Sequence, residues 1–489
     1  MLTAVVFLPL AGAVALALLF RRDGVARGVA LALAVAEFAL SIFAFLSYDR
    51  ALGGLQLVEQ RDWIAPINAQ YYLGVDGLSA PLVLLTGLLG LCAVLASWSV
   101  KVRVREHFIW LLALQGAVMG VFTSLDFVLF FVFWELELVP MYLLISVWGS
   151  GRKEYSALKF LVFTILGSAF MLVGILVLYF SEGTFDMVKL GQTAQWANLV
   201  LPAQAVFFCF FLAFAIKLPT WPVHTWLPDA HTDAPTAGSV MLAGVLIKMG
   251  GYGIIRVCVT LFPGVARDYA WLLAALGVIS IIYGALVTVR QSDLKRLIAY
   301  SSISHMGLVL LGISSVGVAA GKVSAVGLNG AALQMFTHGT ITGLMFLLVG
   351  FVYEKAHTRY IPDMGGLAGR MPFLAVFFVL TGLASLGLPG LSGFVSELLV
   401  FMGAFLVWSW PTAIAVFGIV LTAGYILWMV QRVMFGPPLH RYEHVGDATL
   451  MEAIPVVLLF AAILAVGVYP AWVTDVFGTG IAPIVERFG

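Results

Sequence analysis

KLPTWPVHTWLPDAHTDAPTAGSVMLAGVLIK, residues 217–248, opens and closes on a lysine set in apolar sequence. Lys217 follows the run FFCFFLAFAI, and Lys248 sits within MLAGVLIKMGGYG. An ionisable group near a bilayer centre costs about 2.5–3.5 kcal/mol even on a lenient scale, so it is a functional candidate by default. Pro219 and Pro222 follow Lys217, and proline breaks a helix by removing a donor and clashing with the preceding turn. The segment reads as a broken membrane helix beside one charge, followed by a span with a second charge near its middle.

Composition gives the solvent for that helix. Of 489 residues 62% are hydrophobic and 10% charged, with mean hydropathy +1.04. Soluble domains carry about 25% charged residues, so lipid must surround this chain. Net charge is +1, without basic runs, which argues against a nucleic-acid partner. Cys92, Cys209 and Cys258 stand alone in apolar stretches and read as core residues. There is no phosphate-binding loop, no GxGxxG after a strand, and nothing suggesting a haem, iron–sulfur or flavin site. Met1–Phe20 lacks a basic leader and an Ala-x-Ala cleavage site, so it reads as a retained first span.

With about 20 residues per crossing, the sequence predicts an all-α polytopic protein of about fourteen spans. They lie near 2–20, 27–47, 78–99, 108–123, 126–148, 157–180, 202–228, 235–257, 271–290, 301–319, 329–353, 372–408, 411–435 and 452–475. The longest loop is 48–77. Alternate connections then collect seventeen basic residues on one side (Arg21, Lys101, Lys153, Lys295 and Arg359 among them) and six on the other, Arg50, Arg61, Lys189, Arg267, Lys322 and Arg487. The positive-inside rule makes the seventeen-residue side cytoplasmic and puts both termini outside. Lys217, Lys248 and Arg256 remain inside spans, Arg256 near the outer end of its own.

A second break, GLPGLSG, carries Gly387, Pro389, Gly390 and Gly393 just before Glu397. Breaks at membrane depth free backbone groups that lipid cannot satisfy, so they line polar cavities. Paired breaks in two halves point to inverted repeats with ion sites at the breaks. The two breaks are five spans apart, an odd number, so the sequence predicts inverted five-helix units over spans 4–8 and 9–13. The corresponding boundaries are 1–107, 108–258, 259–436 and 437–489.

Glu135 and Glu137 in FVFWELELVPMY, and His305 and His338 in spans ten and eleven, complete the buried set. Two carboxylates two residues apart point about 200° apart, so one faces the bundle and the other a neighbouring subunit or polar backbone. Each charge also has a plainer reading: a snorkelling lysine, a structural ion pair or a core histidine. Lys217 and Lys248 are too central to snorkel. Gly244 and Gly251 share the face of Lys248 and allow close packing there. Solitary Glu37 reads as a packing or subunit-contact residue.

GVDGLS (74–79), FWELELVPMYLLI (133–145), the 217–248 stretch, SDLKRLIAYSSISHMG (292–307), QMFTHG (334–339) and LPGLSGFVSE (388–397) together resemble the antiporter-like subunits of complex I, specifically the chain M or subunit 4 family. The resemblance covers about residues 74–436. It implies a proton-translocating subunit of an NADH–quinone oxidoreductase in a bacterial cytoplasmic membrane, working beside sister antiporter-like subunits. It also implies site residues: Glu135 paired with Lys217, then Lys248, His305 and His338, with Glu397 as the outlet carboxylate. Sister subunits typically carry lysine where Glu397 stands. No role transfers to Glu137. NADH, FMN, iron–sulfur clusters and quinone are expected in partner subunits, with no cofactor or metal in this chain. A multisubunit sodium/proton antiporter, or a ferredoxin-dependent or membrane-hydrogenase relative, is the alternative.

Overall fold

Apolar runs with no water to satisfy their backbone must close every N–H onto their own carbonyls, which makes helices. The computed structural model describes residues 1–193, 196, 199–317 and 323–488, so Lys322 and the end of the tenth expected span lie outside the described residues. The helices are α1 (Leu2–Leu18), α2 (Asp23–Leu46), α3 (Ala80–Ala96), α4 (Val104–Thr123), α5 (Phe127–Leu136), α6 (Leu138–Trp148), α7 (Lys153–Glu182), α8 (Met187–Thr193), α9 (Ala203–Lys217), α10 (Trp226–Asp233), α11 (Thr236–Met241), α12 (Ile247–Gly253), α13 (Pro263–Asp268), α14 (Ala270–Val289), α15 (Leu294–Ile313), α16 (Ala325–Ala356), α17 (Pro372–Ser385), α18 (Ser392–Val407), α19 (Ser409–Met434), α20 (Leu450–Val468) and α21 (Ala471–Val485). Among the described residues ten helices are long and apolar enough to cross a membrane, and five apolar helices are shorter. This is an integral membrane protein.

Both expected breaks are present. The 202–228 span is α9 and α10 with an irregular turn between them, and 372–408 is α17 and α18 separated at 386–391. Three features depart from the span reading. The loop 48–77 contains an antiparallel hairpin, β1 (Gln56–Ile64) and β2 (Ala69–Val75), which turns through Asn68 in the left-handed region. The chain after 468 does not end its span at 475 but begins a second helix, α21. The fifth span is interrupted at Glu137, between α5 and α6.

The connections gather at two opposite ends. At one, Gln70 N–H bonds the Asp126 carboxylate at 3.0 Å, Tyr48 bonds Thr479 at 3.0 Å, and Arg487 bonds the carbonyls of Gly191 and Thr260. At the other, Arg27 bonds the Val100 carbonyl, Trp148 bonds Val102, and Arg359 bridges Asp233 and Asp293. Between the ends α3 is buried along its whole length and α16 along nearly all of it. Close approach depends on missing side chains. A Cβ at Gly250 would stand 2.5 Å from Leu218 N and 2.6 Å from Phe214 O, so only glycine lets α12 meet α9 backbone to backbone.

Candidate functional site

Lys217 closes α9, and the chain does not continue as helix because Pro219 offers no N–H. The last turn is finished instead by Leu218 N–H to the Phe214 carbonyl at 2.7 Å and Thr220 N–H to the Ala215 carbonyl at 2.9 Å. Its ammonium is 1% exposed and forms an ion pair with Glu137, 0% exposed. The rings of Trp134 and Phe160 flank the ammonium at 5.5 and 5.4 Å from their centroids.

The expected partner of Lys217, Glu135, is not its partner. The side of the interrupted fifth span that meets α9 carries Phe130 and Trp134, whose rings pack on Phe214, and Glu137, all buried. Glu135 lies on the other side, only partly buried, beside the exposed Val132, Leu136 and Val139. The two carboxylates face opposite ways, as their spacing requires, and the interior one is Glu137. Its second oxygen has no partner among the described residues, nor does one oxygen of Glu135.

Lys248 lies between two wide π-helical turns, Leu242–Leu246 and Ile254–Val259. Such turns bond five residues back and cluster at functional positions. The first of them turns the Ala243 carbonyl toward the Lys248 amine, which bonds it. The same amine meets Nδ1 of His338 at 2.7 Å, and among the described residues no carboxylate bonds it. The other ring nitrogen of His338, Nε2, has no partner among the described residues.

The His338 and His305 rings lie 5.5 Å apart between centroids. His305 presents both nitrogens to carbonyl oxygens, Ser301 at 2.8 Å and Ser385 at 3.1 Å. A neutral ring donates to one of the two carbonyls and only an imidazolium to both, so gaining a proton gives His305 a second hydrogen bond. The Ser385 carbonyl is available because α17 ends there, at the second break. Glu397 follows on α18, with one carboxylate oxygen 3.7 Å from His305 Nε2. A Cβ at Gly387 would lie 2.7 Å from the other oxygen, and φ is +79° there, so glycine is required twice over.

The structure thus joins Lys248, His338, His305 and Glu397 into one file and places Lys217 on Glu137 at the first break. Glu137, Lys248, His305 and His338 fall near the middle of the spans Phe127–Trp148, Thr236–Val259, Leu294–Val316 and Ala325–Ala356, and Lys217 and Glu397 adjoin the breaks. All six groups occupy one depth. Sequence reasoning passed over His231 on α10, fully buried and stacked on Phe346 at 4.6 Å with both nitrogens unpartnered among the described residues. Its signal was the polar run PDAHTD directly after a break. Lys295, read as a loop cation, is buried at the start of α15 and bonds the Ala234 carbonyl at 2.6 Å.

Residues 124–422 match the family described as NADH:quinone oxidoreductase/Mrp antiporter, TM. NADH-quinone oxidoreductase subunit M of Rhodobacter capsulatus is 42% identical, the alignment covering 100% of this chain and 97% of the relative. NAD(P)H-quinone oxidoreductase chain 4 1 of Synechococcus elongatus is 45% identical over 97% of this chain and 90% of its own. Among solved structures, a chain of respiratory complex I from Thermus thermophilus with bound NADH superposes with TM-score 0.88 at 30% identity, covering 100% and 99% of the two chains. A chain of the Mrp complex from a Dietzia species has the same fold, TM-score 0.88 at 22% identity over 99% and 97%.

Proposed function

From the premise that this chain belongs to the NADH:quinone oxidoreductase/Mrp antiporter transmembrane family, we propose that it is the proton-translocating, antiporter-like subunit M of an NADH–quinone oxidoreductase. Identity of 42% across 97% of a relative so named supports the oxidoreductase over the Mrp antiporter, whose 22% likeness speaks to fold alone. Its partners are the other membrane subunits, its sister antiporter-like chains among them. NADH, flavin, iron–sulfur clusters and quinone belong to those partners.

The observation that carries the reading is the buried file Lys248–His338–His305–Glu397. Lys248 passes a proton to Nδ1 of His338, whose Nε2 releases one on its far side, as an imidazole does. His305 then holds the charge between two carbonyls, and Glu397 delivers it from the second break toward water. The Lys217–Glu137 pair sets the state of the first lysine: closing the pair holds Lys217 charged, opening it frees a proton for Lys248. Glu135, on the perimeter, faces the neighbouring subunit. The chain crosses a bacterial cytoplasmic membrane about fourteen times with both termini outside. Its two breaks belong to inverted five-helix units at 108–258 and 259–436, flanked by 1–107 and 437–489.

Proton pumping driven by quinone reduction in vesicles, normalised to assembled complex, tests this. Lys248→Arg keeps the charge but cannot release it, since guanidinium stays protonated, and pumping should fall to background. Full pumping by that variant removes Lys248 from the path.

A further inference from the structure

Glu37 stands near the middle of α2, away from the file. The buried face of α2 runs Ala26, Ala30, Ala34, Glu37, Ser41, Ala44 and Phe45, small residues apart from this one acid and the phenylalanine near the helix end. The side chain is 0% exposed, and neither carboxyl oxygen has a hydrogen-bond partner among the described residues. Gln115 of α4 is 1% exposed and likewise leaves both its amide oxygen and its amide nitrogen unpartnered. Two buried polar side chains with every polar atom unsatisfied is a rare arrangement in a folded interior.

The two lie at one level. A Cβ on Gly87 of α3 would meet the Ser41 hydroxyl, and a Cβ on Gly90, one turn along α3, would meet the Gln115 amide. α2 and α3 run antiparallel, so Glu37, one turn before Ser41, comes level with Gly90. A second route agrees. Gly12 abuts Leu33 and Gly116 abuts Leu10, which sets Gln115 beside the same turn of α2. No cation accompanies them among the described residues. α1 carries no charged residue, and the only ionisable side chain of α3 is Cys92, which points at the Pro455 carbonyl. On α2 and α4 the remaining charges, Asp23, Arg27, Arg105 and Glu106, lie in the first turns at the end of the bundle, as does His107, which bonds Ser97. Ser41 and Thr86 spend their hydroxyl protons on the Phe38 and Leu82 carbonyls.

We propose that Glu37 and Gln115 form an internal water-binding site in which Glu37 keeps a proton throughout turnover. An isolated carboxylate removed from water neutralises rather than remain charged. A buried water needs two to four polar partners, and these side chains offer four atoms. The opposite face of α3 presents Leu85 and Leu89 to Gly339, Gly244 and Gly343, which border Lys248 and His338. One apolar helix therefore insulates the acid from the file, and its proton is held rather than relayed.

Infrared spectroscopy of the purified complex at neutral pH is the test. The wild type should show a protonated-carboxyl stretch that Glu37→Gln removes and Gln115→Leu moves to higher wavenumber. A water band sensitive to oxygen-18 water should vanish in Gln115→Leu and survive at a shifted position in Glu37→Gln. Glu37→Gln copies the neutral acid, so assembly and pumping should match wild type. A wild-type minus Glu37→Gln difference without a carboxylic band means an ionised Glu37 and overturns the proposal, as does a carboxyl band that Gln115→Leu leaves in place. An unchanged water band removes the bound water, and lost pumping by Glu37→Gln at matched assembly makes the proton a relayed one. If Glu37→Gln fails to assemble, the band shift in Gln115→Leu decides.

Discussion

At Lys217 two charges lie out of water in direct contact, and such pairs behave asymmetrically. Removing one partner leaves the other buried and alone, at a cost of about 3–5 kcal/mol, whereas replacing both by apolar groups is often neutral. Glu137→Gln should therefore lower assembly and pumping together, while Glu135→Gln, at the perimeter, should fold normally and lose less pumping. The double variant Lys217→Met with Glu137→Leu should recover assembly and remain without pumping. Quantifying complex on native gels beside vesicle pumping separates these outcomes, and equal losses from the two glutamine variants would contradict the pairing. Lys217, Lys248 and Glu397 were legible in sequence because a charge inside an apolar run stands out. The choice between Glu135 and Glu137 was not, because FVFWELELVPMY is apolar on every side and gives the helix no phase.

The elements around the site are defined by interruptions. Two breaks end α9 and α17, and two π-helical turns flank Lys248. Proline and glycine announced the breaks, whereas no residue type announces a π turn, which arises from how α12 packs on α9 and α16. Gly250→Ala puts a methyl onto the backbone of α9, where the neighbour cannot yield, and overpacking of that kind costs about 1–3 kcal/mol. Melting of the purified complex should drop and pumping with it. Gly424→Ala on α19, with nothing within 4 Å of the new methyl, should change neither. An unaltered melting curve for Gly250→Ala would mean that α9 and α12 can part without consequence. The hairpin escaped notice because a loop of short polar and aromatic residues between spans carries too few alternations to read, and it holds its place through contacts remote in sequence such as Gln70 to Asp126.

Across the whole molecule, the hairpin end is joined to the central span by Asp76 and Arg256, 2.7 Å apart. Burial pushes the Asp76 carboxyl up, but the Arg256 guanidinium and the N–H groups of Ser79 and Leu78 outweigh it and hold it below the usual carboxylate range. A group depressed on folding contributes stability above its unfolded pKa, about 3.9, and loses it as pH falls through the folded value. Asp76→Asn should thus be less stable than wild type by roughly 3–5 kcal/mol at neutral pH. Thermal unfolding should show that gap closing as the medium is acidified below about pH 4, and a gap that stays constant would mean the ion pair contributes nothing. The placing of Lys217, Glu137, Lys248, His338, His305 and Glu397 at one depth has an electrical consequence. A membrane potential acts only on charge displaced along the membrane normal, by about 2.3 kcal/mol per elementary charge per 100 mV. A proton travelling sideways from Lys217 to Glu397 crosses almost none of that field. The potential therefore loads the vertical steps to and from water, and the lateral steps should run at the same speed in polarised and collapsed vesicles.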